Sequence, residues 1–196
     1  MRATAIAMLP CLLAIGCTHD GPPPQTAAAI HGTAPDGTPR WVRRGSGAYD
    51  GDNGKAFYGV GIVRGIQNPS LSRQTASNRA RGEVATLFDA YIAKMMKDYQ
   101  RSTATGDLRN SAEEQDVVSA QKTITEVTLR GVEVRDTWTD PQTGDLYALA
   151  VLDLNGVMKG IQDANQLNGQ VRDYVRNNAR RAFGELDDEL RKRSNR

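Results

Sequence analysis

Residues able to do chemistry are few in this chain and unevenly placed. Both cysteines, Cys11 and Cys17, and both histidines, His19 and His31, lie within the first 31 residues, so the stretch from Trp41 onward holds neither type. Ser-His-Asp or Cys-His nucleophilic triads, zinc sites with Cys or His ligands, redox dithiols, CxxCH haem attachment and internal disulfides all need side chains that this stretch lacks. Carboxylates, lysines and tyrosines remain. Asp136, Asp140, Asp145 and Asp153 fall close together in sequence, and two carboxyls can serve as acid and base when a cleft fixes their separation. Here Asp140 and Asp145 bracket a turn containing Pro141 and Gly144, and Asp153 precedes a helix start, positions where aspartate ordinarily bonds nearby backbone N–H groups. The expectation is a non-catalytic chain with no cofactor.

The glycine-rich runs point the same way. In Tyr58-Gly59-Val60-Gly61 the glycines fall inside a strand pattern and Arg64 stands where a dinucleotide fingerprint needs its third glycine. Gly54-Lys55 lacks both the first glycine and the magnesium-binding hydroxyl of a P-loop. A calcium loop opened at Asp50 would carry Gly54 at its fifth position and Gly61 at its twelfth, where a bidentate glutamate belongs. A surface turn is the simpler reading, and no metal is expected. With 25 Lys+Arg against 23 Asp+Glu the net charge is +2, which favours neither a nucleic-acid binder nor an acidic tail.

One thiol is positioned for modification. Met1 to Cys17, MRATAIAMLPCLLAIGC, carries Arg2, an apolar run from about Ala5 to Ile15, and the small Gly16 before Cys17. That is a secretory signal, too short for a permanent span, which takes roughly 20 apolar residues. Leu13-Ala14-Ile15-Gly16-Cys17 resembles the lipoprotein signal class, with Ala14 where that class usually has Leu. The resemblance implies a signal peptide over 1–16, diacylglycerol on the Cys17 thiol and acylation of the new amino terminus. By the same resemblance Thr18, not being Asp, implies sorting to the periplasmic face of the outer membrane, with the bilayer as the first partner. Cys11 lies inside the apolar run as filler. Residues 17–40 follow as a lipidated, disordered tether: 18–40 hold five of the eight prolines and almost no large apolar side chain. Taut, that tether reaches about 75–80 Å.

The remainder, 41–196, is long enough for one domain. Gly45–Lys55, GSGAYDGDNGK, reads as a loop. Ala56–Val63 alternates Phe57, Gly59, Gly61 and Val63 against Tyr58, Val60 and Ile62, a strand whose glycines admit a closely packed helix. After Asn68-Pro69-Ser70, which supplies a stop and an N-cap, apolar residues from Ala76 to Tyr99 recur at three- and four-residue steps, small in the first half and bulky in the second. This long helix is expected to lie over the strand glycines. Glu113–Leu129 has helical steps yet is rich in Thr, Ile and Val, so helix and strand compete there, with helix preferred. Val132, Val134 and Trp138, separated by Glu133 and Arg135, read as one strand; a Pro/Gly turn joins it to Leu146–Leu154 in a hairpin. A short helix to about Ala164 and a C-terminal helix over about 167–193 complete an α+β layout, a small antiparallel sheet with helices on one face.

The Trp41 opening, the block YGVGIVRGIQNPSLSRQTASNRARGEVATLF at 58–88 and the block LRGVEVRDTWTDPQTGDLYALAVLDL at 129–154 resemble the twenty-kilodalton bacterial membrane-associated lipoprotein family, which includes flagellar basal-disk lipoproteins. The resemblance covers roughly 41–160. It implies a small α+β domain without known catalytic residues, with some members assembled into rings beneath the outer membrane, and it carries over one site residue, Cys17. A structural or scaffolding role in the cell envelope, with self-association as a possibility, is the leading expectation. The alternative is a module that holds an apolar or anionic envelope ligand, such as lipid or peptidoglycan, between sheet and helices. The last helix bears on self-association: Arg172, Arg176, Arg180 and Arg181 precede Glu185, Asp187, Asp188 and Glu189, an order opposed to the helix dipole. Docking on its own domain and pairing with a neighbouring copy both answer that order.

Overall fold

The computed structural model describes residues 32–51, 54–103, 111–164 and 167–194. Cys17, its signal segment and the tether as far as residue 31 therefore lie outside the described residues. Element by element the chain runs α1 (Arg40–Arg44), β1 (Gly47–Gly51), β2 (Gly54–Val63), α2 (Pro69–Thr103), α3 (Ser111–Leu129), β3 (Glu133–Thr139), β4 (Leu146–Asp153), α4 (Leu154–Asp163) and α5 (Gly169–Ser194). The four strands form one antiparallel sheet in the order β1-β2-β4-β3, with α2 to α5 gathered around one face. This is the α+β fold expected from the sequence.

The sheet is centred on β2 and β4, which pair over eight residues from Ala56↔Asp153 to Val63↔Leu146. Directly opposed residues share a face, so Phe57, Gly59, Gly61 and Val63 line up with Leu152, Ala150, Ala148 and Leu146 beneath the helices. The glycines are there because nothing larger fits. A Cβ on Gly59 would lie 2.1 Å from the Ala80 carbonyl oxygen of α2, and one on Gly61 would lie 2.1 Å from that of Ala76. Ala76, Ala80 and Val84 carry α2 across the sheet at backbone distance, and all three are fully buried.

Helix α2 opens at Asn68, whose Oδ1 accepts from Ser70 N at 3.0 Å and Leu71 N at 3.1 Å, with Pro69 at the first helical position. Within the Asn68-Pro69-Ser70 triplet the cap is Asn68, while Pro69 has no N–H to satisfy and suits the first turn. At 35 residues α2 is about 52 Å long and outruns the sheet. Its bulky half, Phe88, Tyr91, Ile92, Met95 and Met96, is buried among α3, α4 and α5. Phe57 meets Phe88, Tyr91 and Phe183 edge-on at centroid distances of 5.6, 5.2 and 5.1 Å, the geometry that aromatic quadrupoles prefer.

The ambiguous 113–129 segment is helical within α3, with Ala120, Ile124 and Thr128 buried at four-residue steps. Packing against α2 overrides the strand propensity of its β-branched residues. Helix α5 docks on its own domain through Val171, Val175, Ala179, Ala182, Phe183 and Leu186, and the Tyr91 hydroxyl donates to the Ala179 carbonyl at 2.7 Å. Its charge order is answered within the chain. Lys94 of α2 sits 3.3 and 2.9 Å from Glu185 and Glu189, Arg181 meets Glu185 at 2.7 Å, and Arg191 meets Asp187 at 2.6 Å.

Two expectations are corrected. Gly47–Gly51, read as loop, is an edge strand paired with Gly54–Tyr58. Its Ala48 enters the helix-side core and Tyr49 the opposite face, an alternation of two apolar side chains that four nearby glycines conceal. Val134 and Trp138 do not share a face. A bulge sets two residues, Arg135 and Asp136, against Leu149, so Val134 opposes Ala150 beneath the helices whereas Asp136 and Trp138 oppose Leu149 and Tyr147 on the other side.

Candidate functional site

The face of the sheet away from the long helices is tiled with aromatic residues. Trp41, Tyr49, Ala56, Tyr58, Leu149 and Val151 form a second buried cluster, with Val42, Val60, Trp138 and Tyr147 packed at its margin. Helix α1 closes the middle of this face with Trp41, which is 1% exposed. The indole Nε1 donates to Asp136 Oδ2 at 2.9 Å, a bond across 95 residues that exists because the β3 bulge turns Asp136 to this side. At the β1 end, Tyr49 stacks on Tyr58 with centroids 4.4 Å apart and planes 10° from parallel, while the Arg44 guanidinium lies 3.6 Å from the Tyr49 centroid. The Tyr49 hydroxyl donates to the Gly45 carbonyl at 3.1 Å. Burial pushes its ionisation well above the usual tyrosine range, against the opposing pull of Arg44.

The chain enters on this face. Arg40 N donates to Gly32 O at 3.0 Å, Ala34 N to Thr38 O at 2.8 Å, and Thr33 bridges Pro39, so the residues before α1 form a closed turn. Asp36 binds the Arg43 guanidinium there, and the Thr38 N–H and Arg43 together hold its carboxyl below the usual aspartate value.

The four carboxylates weighed as acid and base candidates are held by four separate sets of partners. Asp136 accepts from Trp41 and from Thr137 N, Asp140 accepts from Gln142 N at 2.8 Å, and Asp153 accepts from Gly156 N at 2.6 Å as the cap of α4. Asp145, 5% exposed, accepts from Arg64 Nε at 2.7 Å. The arrangement fixes a turn, a helix start and two long-range clips. Asp50 pairs with Lys55 Nζ at 3.2 Å across the β1–β2 hairpin, whose residues 52 and 53 lie outside the described residues. Among the described residues no group of three or more His, Cys, Asp or Glu side chains is placed to hold a metal ion.

Between sheet and helices the α2 backbone lies against Gly59 and Gly61, and Phe57 touches three aromatic rings. An open groove of about 330 Å³ lies on the helix layer, between α2 and α3, lined by Asp89, Val118, Gln121, Lys122, Thr125 and Glu126. Thr125 Oγ1 donates to Asp89 Oδ1 across it at 2.9 Å. Sequence reasoning missed the Trp41–Asp136 clip and the Arg44–Tyr49–Tyr58 stack. The only signal for them was two tryptophans and several tyrosines outside the helical patterns, and the bulge that brings them together leaves no mark in the residue types.

A family model described as LPP20 lipoprotein matches residues 39–153, more than half of the chain. The match takes in α1, the whole sheet, α2 and α3 and stops at the end of β4, leaving α4 and α5 outside it. No curated protein matches the chain. No helix among the described residues is long and apolar enough to cross a membrane.

Proposed function

The chain belongs to the LPP20 lipoprotein family, and from that premise we propose that it is a non-catalytic, lipid-anchored component of the cell envelope, held at the periplasmic face of the outer membrane through Cys17. The observation that carries the reading is the family match beginning at residue 39, twenty-two residues beyond a Gly16-Cys17 junction that closes an apolar signal run. A thiol in that position is a nucleophile toward a lipid donor, and several acyl chains hold a protein at a bilayer far longer than one, at about 0.8 kcal/mol for each buried methylene. A structural role agrees with how the polar groups are used: the aspartates cap, clip and pair within the fold, and no Cys or His follows His31.

Replacing the nucleophile tests the anchor. Cys17→Ser is expected to leave the membrane fraction or to accumulate uncut and to lose incorporation of labelled palmitate, whereas Cys11→Ser changes neither. A Cys17→Ser chain that stays processed, labelled and membrane-bound would refute the reading.

A further inference from the structure

On the aromatic face, α1 and the other described residues leave one row of the sheet only partly covered: Ile62 of β2, Tyr147 of β4 and Trp138 of β3, directly opposed in register across three strands. Ile62 is 40% exposed, and Tyr147, Trp138 and the neighbouring Val60 are half-buried. We propose that this row is a docking surface for the phospholipid bilayer itself, so that the domain lies against the membrane rather than standing off at the end of its tether. The inference rests on the Cys17 anchor proposed above.

Three features favour the bilayer as occupant. The described chain begins at Gly32, which is bonded to Arg40 at the start of α1, and α1 sits on this same face. Cys17 lies fifteen residues upstream, a length of about 50 Å when taut and about 20 Å as a coil, so the lipid is delivered to the side where the row is open. The row pairs a tryptophan and a tyrosine with an aliphatic side chain, the composition that settles at the level of lipid headgroups. Helix α1 adds Arg40, Arg43 and Arg44 to the same face, with Arg43 engaged by Asp36 and Arg44 on the Tyr49 ring at the β1 end; basic groups on a face are drawn to anionic headgroups. A second copy of the chain fits less well, because three partly covered side chains fall far short of the roughly 800 Å² per partner that a stable protein interface takes.

The experiment uses the full lipidated chain, purified from membranes and reconstituted into vesicles of phosphatidylcholine with a minor share of phosphatidylglycerol, made with and without brominated acyl chains. Flotation reads the anchor, and tryptophan emission reads the docking, because Trp41 is buried out of reach and Trp138 is not. Bromination is expected to lower wild-type emission roughly twofold. Trp138→Phe should abolish that loss, and Ile62→Asp, at an exposed position, should abolish it while leaving Trp138 in place. A chain that floats but emits equally in both vesicles overturns the docking and leaves the anchor standing. A chain that does not float overturns the anchor, and the docking with it.

Discussion

Beneath the helices β2 presents Phe57, two glycines and Val63; on the other side it presents Ala56, Tyr58, Val60 and Ile62. The same alternation feeds two unlike ways of drying a sheet. All three phenylalanines, Phe57, Phe88 and Phe183, lie in the helix-side core. There contact is made by backbone against backbone and mainly by apolar rings, with Tyr91 bonding its hydroxyl to the Ala179 carbonyl. Both tryptophans and three of the six tyrosines serve the opposite face, where five residues of α1 replace four helices and each large ring brings a polar atom or meets a cation. The helix side is closed chiefly by shape, with one buried hydroxyl bond from Tyr91, and the aromatic side by shape plus several polar and cation contacts. A face of the second kind can stop short of full coverage, as the Ile62–Tyr147–Trp138 row does.

The largest expected effect is on the helix side. Gly59→Ala or Gly61→Ala places a methyl carbon 2.1 Å from a carbonyl oxygen of α2, and the helix has to lift along its small-residue half; a loss of about 3 kcal/mol or more in urea unfolding is expected. Gly82→Ala, where an added Cβ meets nothing within 4 Å, should instead gain about 0.5–1 kcal/mol. Equal midpoints for the three would mean that shape does not close this face.

A smaller effect is expected on the aromatic side. Trp41→Phe keeps an aromatic ring but withdraws the donor from Asp136 Oδ2, and should cost about 1–2 kcal/mol. Asp136→Asn in the Trp41→Phe background should then cost less than it does alone, and strict additivity in that double-mutant cycle would show that the clip contributes nothing.

The third test asks whether the two faces are equally dry. Burial raises the ionisation of Tyr91 on the helix side and of Tyr49 on the aromatic side. Both are neutral when folded, so their contribution is complete below about pH 10, the ordinary tyrosine value, and declines above it by about 1.4 kcal/mol per pH unit for each. Tyr91→Phe and Tyr49→Phe should each flatten the alkaline decline measured by denaturant unfolding. Flattening by Tyr91→Phe alone would mean that the aromatic face admits water.

Much of the helix side was legible because it follows period rules. The Phe57-x-Gly59-x-Gly61 alternation and the Ala76, Ala80, Val84 spacing name the same contact from two segments, each supplying what the other lacks. The aromatic side was legible only in part. Recognising β1 requires knowing that Tyr49 has Tyr58 and Arg44 to rest on, and the orientation of Asp136 and Trp138 depends on one extra residue in β3. Neither pairing nor register is written locally. The chemistry proposed at Cys17 rests on a short motif rather than on the fold, so only the sequence speaks to it.

The central β2–β4 pairing also sets an order of events in time. Gly59 waits for Ala150 and Val63 for Leu146, some eighty to ninety residues later, so as the chain emerges amino end first its opening half can form the β1–β2 hairpin and much of α2 but cannot finish the sheet. Until β4 arrives, Phe57 and the glycine seat of α2 remain open to water, and closure is a late event that joins the two ends of a long loop. A chain passed across a membrane as an extended strand gains from such a delay, because its core cannot lock before nearly all of it is through.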